Sequence, residues 1–194
     1  MVGNLDKKEL IKKAAQTLFF QYGWEKVSIG EICQQANISR VTFYKHFTNK
    51  KELLKQLFTE QKEEMWQAFN DLLENAKSLD LLIQRIFQLQ KHAMQTLYSQ
   101  EMVYDLQHHK DEELQAFFAE MEQEKYQFMH YFFTTLQQKS IIRDDFPVLL
   151  IEIFIRKIDE LKTDPALLQC YQGKDQQFLK DILSLLMYGI AAKA

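Results

Sequence analysis

The sequence predicts an all-α fold of about nine helices, and three observations carry that expectation. Breakers are scarce, with five Gly and two Pro in 194 residues. Val is rare while Leu, Gln, Lys and Glu are abundant, a composition that favours helix over strand. Apolar residues recur three and four apart along most of the chain, which is the spacing of one helical face. At 46% hydrophobic and 26% charged the chain is globular rather than disordered. Its length suits a small domain joined to a larger one.

The first helix is expected from Asp6, an N-cap, to Tyr22, with Gly23 just past its end. Its apolar stripe is Leu10, Ile11, Ala14, Ala15, Leu18 and Phe19. Ser28 caps a second, short helix, and Glu31 three residues on completes a capping box. Asn37 stands where the chain must turn, because Asn tolerates the left-handed conformation. Ser39 caps a third helix in which Phe43 and Phe47, four apart, point inward together. Gly30 lies inside the second helix, where it costs up to about 1 kcal/mol relative to alanine.

Asn49 caps the next helix, which runs to about Ala76 on a stripe from Leu53 and Leu54 to Leu72 and Leu73. A fifth helix starts at Ser78 or Asp80, and a shorter one covers 100–108. Asp111 opens a long helix with Leu114, Phe117, Phe118, Met121, Phe128, Phe132 and Leu136 inward. Residues 140–147 form a loop whose paired acids Asp144-Asp145 act as caps, and Pro147 sits in the first turn of the following helix. That helix ends before Thr163-Asp164-Pro165, and a last one covers about Asp175 to Ala191.

Charge is divided along the chain. Residues 1–55 hold ten Lys/Arg against five Asp/Glu, a net of +5, while the rest hold fourteen against twenty-two, a net of −8. A helix pair by itself is compatible with ordinary packing. A basic segment coinciding with it points to a nucleic-acid-facing end on an acidic body.

Other function classes find little support. No apolar run approaches the roughly 18 residues that span a membrane, and Met1 to Lys8 lacks the apolar core of a signal peptide. Cys33 and Cys170 are far apart and read as thiols packed as small hydrophobes rather than as a disulfide. His108 and His109 diverge by about 100° on a helix, so they read as polar surface or a turn rather than as a metal site. No Ser/His/Asp arrangement or glycine-rich phosphate loop occurs, and the expectation is a non-enzyme without cofactor or metal.

The segment Ile11-Lys12-Lys13-Ala14-Ala15-Gln16-Thr17-Leu18-Phe19-Phe20-Gln21-Tyr22-Gly23-Trp24 resembles the first helix and glycine stop of the TetR family of transcriptional regulators. The resemblance continues through Val27-Ser28-Ile29, Ala36-Asn37-Ile38-Ser39 and Thr42-Phe43-Tyr44-Lys45-His46-Phe47, and on to Lys50-Lys51-Glu52-Leu53-Leu54. It covers about residues 7–58. Asn37 departs from it, standing where the family usually has glycine, and so does Gly30, where a carboxylate or other helix former is commoner. The resemblance implies a three-helix helix-turn-helix DNA-binding domain at 1–50 and a larger helical ligand-binding and dimerisation domain at 51–194.

It also implies that Arg40, Val41, Thr42, Tyr44 and Lys45 face the major groove, with Ser28, His46 and Lys50 nearer the phosphates and Ser39 in the same set. Chemistry agrees, since Arg40 can pair with guanine O6 and N7 and Val41 can touch a thymine methyl. Lys50 opposes the helix dipole in its first turn and makes better sense beside a phosphate.

Effectors of similar regulators sit among the middle helices, whose aromatic and methionine side chains can also line an adaptable apolar pocket. The candidates are Phe87, His92, Met94, Tyr98 and Tyr104, followed by Phe117, Met121, Tyr126, Phe128 and Phe132; ordinary core packing explains the same pattern. Leu149, Ile153 and Phe154 on one helix, and Leu179, Ile182, Leu183, Leu186 and Ile190 on the last, form apolar faces. In the resembled family these helices pair across a two-fold axis. The expected protein is a cytoplasmic, bacterial, homodimeric repressor of a palindromic operator, released by a small apolar effector. The competing expectation is a DNA-binding regulator or architectural protein without an effector, controlled by a protein partner.

Overall fold

The structure, a computed structural model, describes residues 6–75, 78–96, 99–145, 147–161, 164–171 and 174–189. Ten helices and no strand occur among them: α1 (Lys7–Tyr22), α2 (Ile29–Gln35), α3 (Arg40–His46), α4 (Lys50–Asn75), α5 (Leu79–Thr96), α6 (Gln100–His108), α7 (Glu112–Gln138), α8 (Val148–Leu161), α9 (Pro165–Cys170) and α10 (Asp175–Gly189). No helix among the described residues is long and apolar enough to cross a membrane.

The caps account for most of these boundaries. Asp6 accepts from the Lys8 backbone N–H at the start of α1. Asn49 accepts from Glu52 N–H at 2.8 Å at the start of α4, and Asp111 from Leu114 N–H at the start of α7. α9 exceeds the nine helices expected. Pro165, read from sequence as a stop, occupies the first turn of α9, and Asp164 caps it through the N–H groups of Ala166 and Leu167. α7 ends at a left-handed Ser140 (φ 56°), where the N–H groups of Ser140 and Ile141 return to the carbonyls of Gln137 and Leu136.

The described residues fall into two compact units. The first is Met1–Glu64 with His92–Ala119, and the second is Met65–Lys91 with Glu120–Ala194. α4, α5 and α7 therefore contribute residues to both units. In the first unit the core is Ile11, Ala15 and Phe19 of α1, Ile32 of α2, Phe43 and Phe47, Leu53 and Leu54 of α4, with Met102 and Leu114 added from α6 and α7. These are the inward positions of successive 3.6-residue stripes. Ion pairs fasten its edges: Lys12 reaches Glu60 on α4, and Lys51 reaches Asp111 and Glu113. The second unit buries Leu73, Leu82, Ile83 and Ile86 against Phe132, Phe133, Leu136, Ile142, Ile151 and Met187.

Candidate nucleic-acid interface

Ser28 begins the helix pair. Its hydroxyl accepts from Glu31 N–H at 3.2 Å, while the Glu31 carboxylate accepts from the Ser28 backbone N–H at 2.8 Å and from its hydroxyl at 2.7 Å. This reciprocal box fixes the start of α2. The backbone and hydroxyl bonds from Ser28 hold the Glu31 carboxyl below the usual carboxylate range. At the other end Asn37 is left-handed (φ 52°). Ile38 N–H returns to Cys33 O and Asn37 N–H to Gln34 O, the paired bonds of a Schellman stop. The turn is thus closed by backbone, and Asn serves where glycine would.

Ser39 starts α3, accepting from Thr42 N–H at 3.1 Å and sharing a 3.0 Å hydroxyl contact with Thr42. Phe43 and Phe47 are fully buried with ring centroids 5.8 Å apart, so α3 is anchored by one face. The other faces look outward. Val41 is 68% and Tyr44 55% exposed, Arg40 and Lys45 are exposed, and Thr42 and His46 are half-buried. Tyr44 packs its ring edge-on against Phe43 at 5.5 Å and leaves its phenol outside; a valine methyl and a phenol are groups that can touch a thymine methyl and a phosphate. The hydrophobic anchors of α3 thus lie on the side opposite its exposed residues.

Lys50 departs from expectation. Its ammonium donates to the carbonyls of Trp24 at 2.6 Å, Glu25 at 3.0 Å and Val27 at 2.7 Å, and lies 5.1 Å from the Trp24 ring centroid. All three of its donors are spent inside the protein. Burial pushes its pKa below the ordinary lysine value, with the charges of Glu25 and Asp105 opposing. It staples the connection between α1 and α2 rather than projecting toward a phosphate.

Sequence reasoning missed the support beneath that connection. Gly23 (φ 82°) ends α1, and a methyl group there would come within 2.3 Å of the Asp105 carboxylate. Asp105, buried on α6, accepts from Glu25 N–H at 3.0 Å. His109, read as polar surface or a turn, stands in the turn after α6 as its C-cap, but is buried and meets Trp24 edge-on at 6.4 Å. Trp24 Nε1 and His109 Nδ1 are buried without a hydrogen-bond partner among the described residues. No local pattern signals this cluster, because it joins residues some 80 positions apart.

The expected effector residues are divided between the two units. His92, Tyr104 and Phe117 belong to the first unit, and Phe87, Met121, Tyr126, Phe128 and Phe132 to the second. The side chains of Met94 and Tyr98 lie outside the described residues. Tyr104 is exposed and stacks on His108, while Phe128 stacks on Trp66 at 5.2 Å with Phe69 and Phe132 nearby. An open groove of about 700 Å³ in the first unit is lined by Lys13, Gln16, Thr17, Phe20, Gln21, Ser99 and Glu101, none of them a candidate.

On α8, Leu149, Leu150, Ile153 and Phe154 form an exposed apolar stripe. On α10, Leu183 and Leu186 instead pack against the second unit's own core, Ile182 is half-buried, and Leu185 and Tyr188 are the exposed apolar groups. The Leu179 side chain and Ile190 lie outside the described residues. Of the two cysteines, Cys33 is buried and Cys170 exposed, so only the first packs as a hydrophobe.

Residues 11–57 match the family model of bacterial regulatory proteins of the tetR family. A helix-turn-helix transcriptional regulator of Bacillus subtilis, YhgD, is 34% identical over 71 residues, 37% of either chain. DhaS of Lactococcus lactis, the transcriptional activator of the dhaKLM operon, is 32% identical over 97 residues, 44% of this chain and 51% of that one. The chain thus spans about a third to a half of the curated relatives it matches. Likeness of fold extends further: the regulator FadR of Bacillus subtilis, solved in complex with stearoyl-CoA, superposes with a TM-score of 0.67 at 20% identity, over 94% of this chain and 98% of that one. The capped helix pair, its left-handed turn and its anchored third helix all lie within the segment that matches the tetR family model.

Proposed function

We propose that this chain is a ligand-responsive transcriptional regulator of the bacterial cytoplasm that binds an inverted-repeat operator as a homodimer. The observation that carries the reading is α3, whose exposed Arg40, Val41, Tyr44 and Lys45 are backed by a fully buried Phe43 and Phe47. Arg40 reads a guanine and Val41 a thymine methyl, while Tyr44 and Lys45 hold the helix against the backbone. Two copies place two such helices about 34–36 Å apart on one face of the duplex. The α8 stripe of Leu149, Leu150, Ile153 and Phe154 supports pairing of two chains, because a free apolar face of this kind is otherwise a solubility cost.

Repression follows if the bound dimer occludes a promoter, and an effector relieves it by favouring a state with the wrong spacing of recognition helices. α4 can transmit that preference, since its residues belong to both units. The aromatic group of Trp66, Phe69, Phe128 and Phe132 in the second unit, together with the acyl-CoA bound by the FadR neighbour, supports an amphiphilic effector.

The test is titration of duplexes enriched from a random pool against their scrambled versions. Arg40→Ala should lose about 1–3 kcal/mol of discrimination. Equal affinity of wild type for both duplexes contradicts DNA reading. Stearoyl-CoA and free long-chain fatty acids should weaken operator binding; no response to either contradicts the effector and favours control by a protein partner.

A further inference from the structure

Gly30 has no conformational reason to be glycine. It sits in the first turn of α2, in ordinary helical backbone, next to a complete capping box. Alanine is the better helix former there. What the position lacks is room. A methyl group at residue 30 would lie 2.9 Å from Nη2 and 3.8 Å from Cζ of Arg40, and 3.6 Å from Ser28 Oγ. The Arg40 side chain, leaving the first position of α3, therefore folds back so that its guanidinium rests on the bare backbone of Gly30. Cys33, three residues on along α2, feels the same group: burial pushes its thiol up and the Arg40 charge opposes that push.

We infer that Gly30 is a specificity-determining position, acting by giving the Arg40 guanidinium a resting place that sets where it is presented to DNA. This deepens the proposed reading of α3 and rests on it. Guanidinium recognition of a base is planar and bidentate, so it depends on approach angle more than a point charge does. A side chain already lying in one place also gives up less freedom on binding than one free to sweep. Only the flexible end of Arg40 stands in the way of a methyl at residue 30. A substitution there displaces the guanidinium and leaves α2 and its cap intact.

The experiment compares the full-length wild type, Gly30→Ala, Arg40→Ala and the double variant. Each is melted, then used to select duplexes from one random pool, and its affinity for the wild-type consensus is measured. Gly30→Ala should melt no lower than wild type. Its affinity for the consensus should fall at least about fivefold, the low end of what one bidentate contact contributes, with altered preference at the base Arg40 reads. In the Arg40→Ala background the same substitution should change nothing, since its effect passes through that side chain. Wild-type affinity and preference in Gly30→Ala, with Arg40→Ala impaired, overturns this inference and leaves the reading of α3 standing. An equal loss in both backgrounds also overturns it, placing the methyl itself against DNA. A silent Arg40→Ala, or no consensus for wild type, overturns the inference together with the reading of α3.

Discussion

Three N–H donors of the Lys50 ammonium meet three carbonyls of the α1–α2 connection, and this one side chain holds the turn from which α2 departs. Replacing it with methionine keeps the aliphatic stem and strands the carbonyls. Lys50→Met should cost about 1–3 kcal/mol of stability, the range for polar groups left unpaired, measured by urea unfolding. The salt dependence of DNA binding should be unchanged, because the ammonium faces protein rather than phosphate. A lowered salt slope with unchanged stability contradicts this. Lys50 was misread from sequence because its helix position was legible while the carbonyls it meets, 23 to 26 residues earlier, were not. Arg40 and Gly30 were each singled out, but the contact between them belongs to the packing of α2 on α3. Asn37 was legible, since a left-handed stop between two capped helices is a local requirement and its φ of 52° meets it.

Elements were the easiest features to foresee, for a physical reason: caps are local. Asp6, Ser28, Ser39, Asn49 and Asp111 each bond a backbone N–H two or three residues ahead. α9 was missed because proline stops one helix and starts another, and only the Asp164 cap distinguishes the two. Three carboxylates held by such bonds or by ion pairs should make the first unit acid-sensitive. Glu31 is held below the ordinary carboxylate value of 4.5 by the Ser28 backbone and hydroxyl bonds. Glu52 is held down by the Thr48 hydroxyl and N–H, and Glu113 by Lys51 and Lys55. Their folded pKa values lie under the unfolded ones, so the stability they add is complete above pH 4.5 and is lost as pH falls through the folded values. Thermal melts should fall off below that pH, and Glu31→Gln with Glu52→Gln should flatten the decline. An undiminished acid slope in the double variant contradicts the assignment.

At the scale of the whole molecule, the acidic remainder and the basic first 55 residues were legible, as was the all-helical class. α6 and the start of α7 fall in the first unit, with α6 packed on α1 and Asp105 accepting from Glu25 N–H, contacts that no local pattern announces. The exposed stripe of α8 matches the positions named from sequence, whereas on α10 Leu183 and Leu186 face the second unit's own core, which no local pattern announces. The exposed α8 stripe should hold two copies together. Phe154→Glu should convert a dimer to a monomer in sedimentation, with helicity retained; a monomeric wild type contradicts the pairing. Whether two copies of α3 read DNA in sequence is decided by selecting duplexes from a random pool with the wild-type chain. The selected duplexes should share an inverted repeat whose half-site centres lie about 10 base pairs, or a multiple of that, apart. Recovery of unenriched sequence, or of a single site without symmetry, contradicts it.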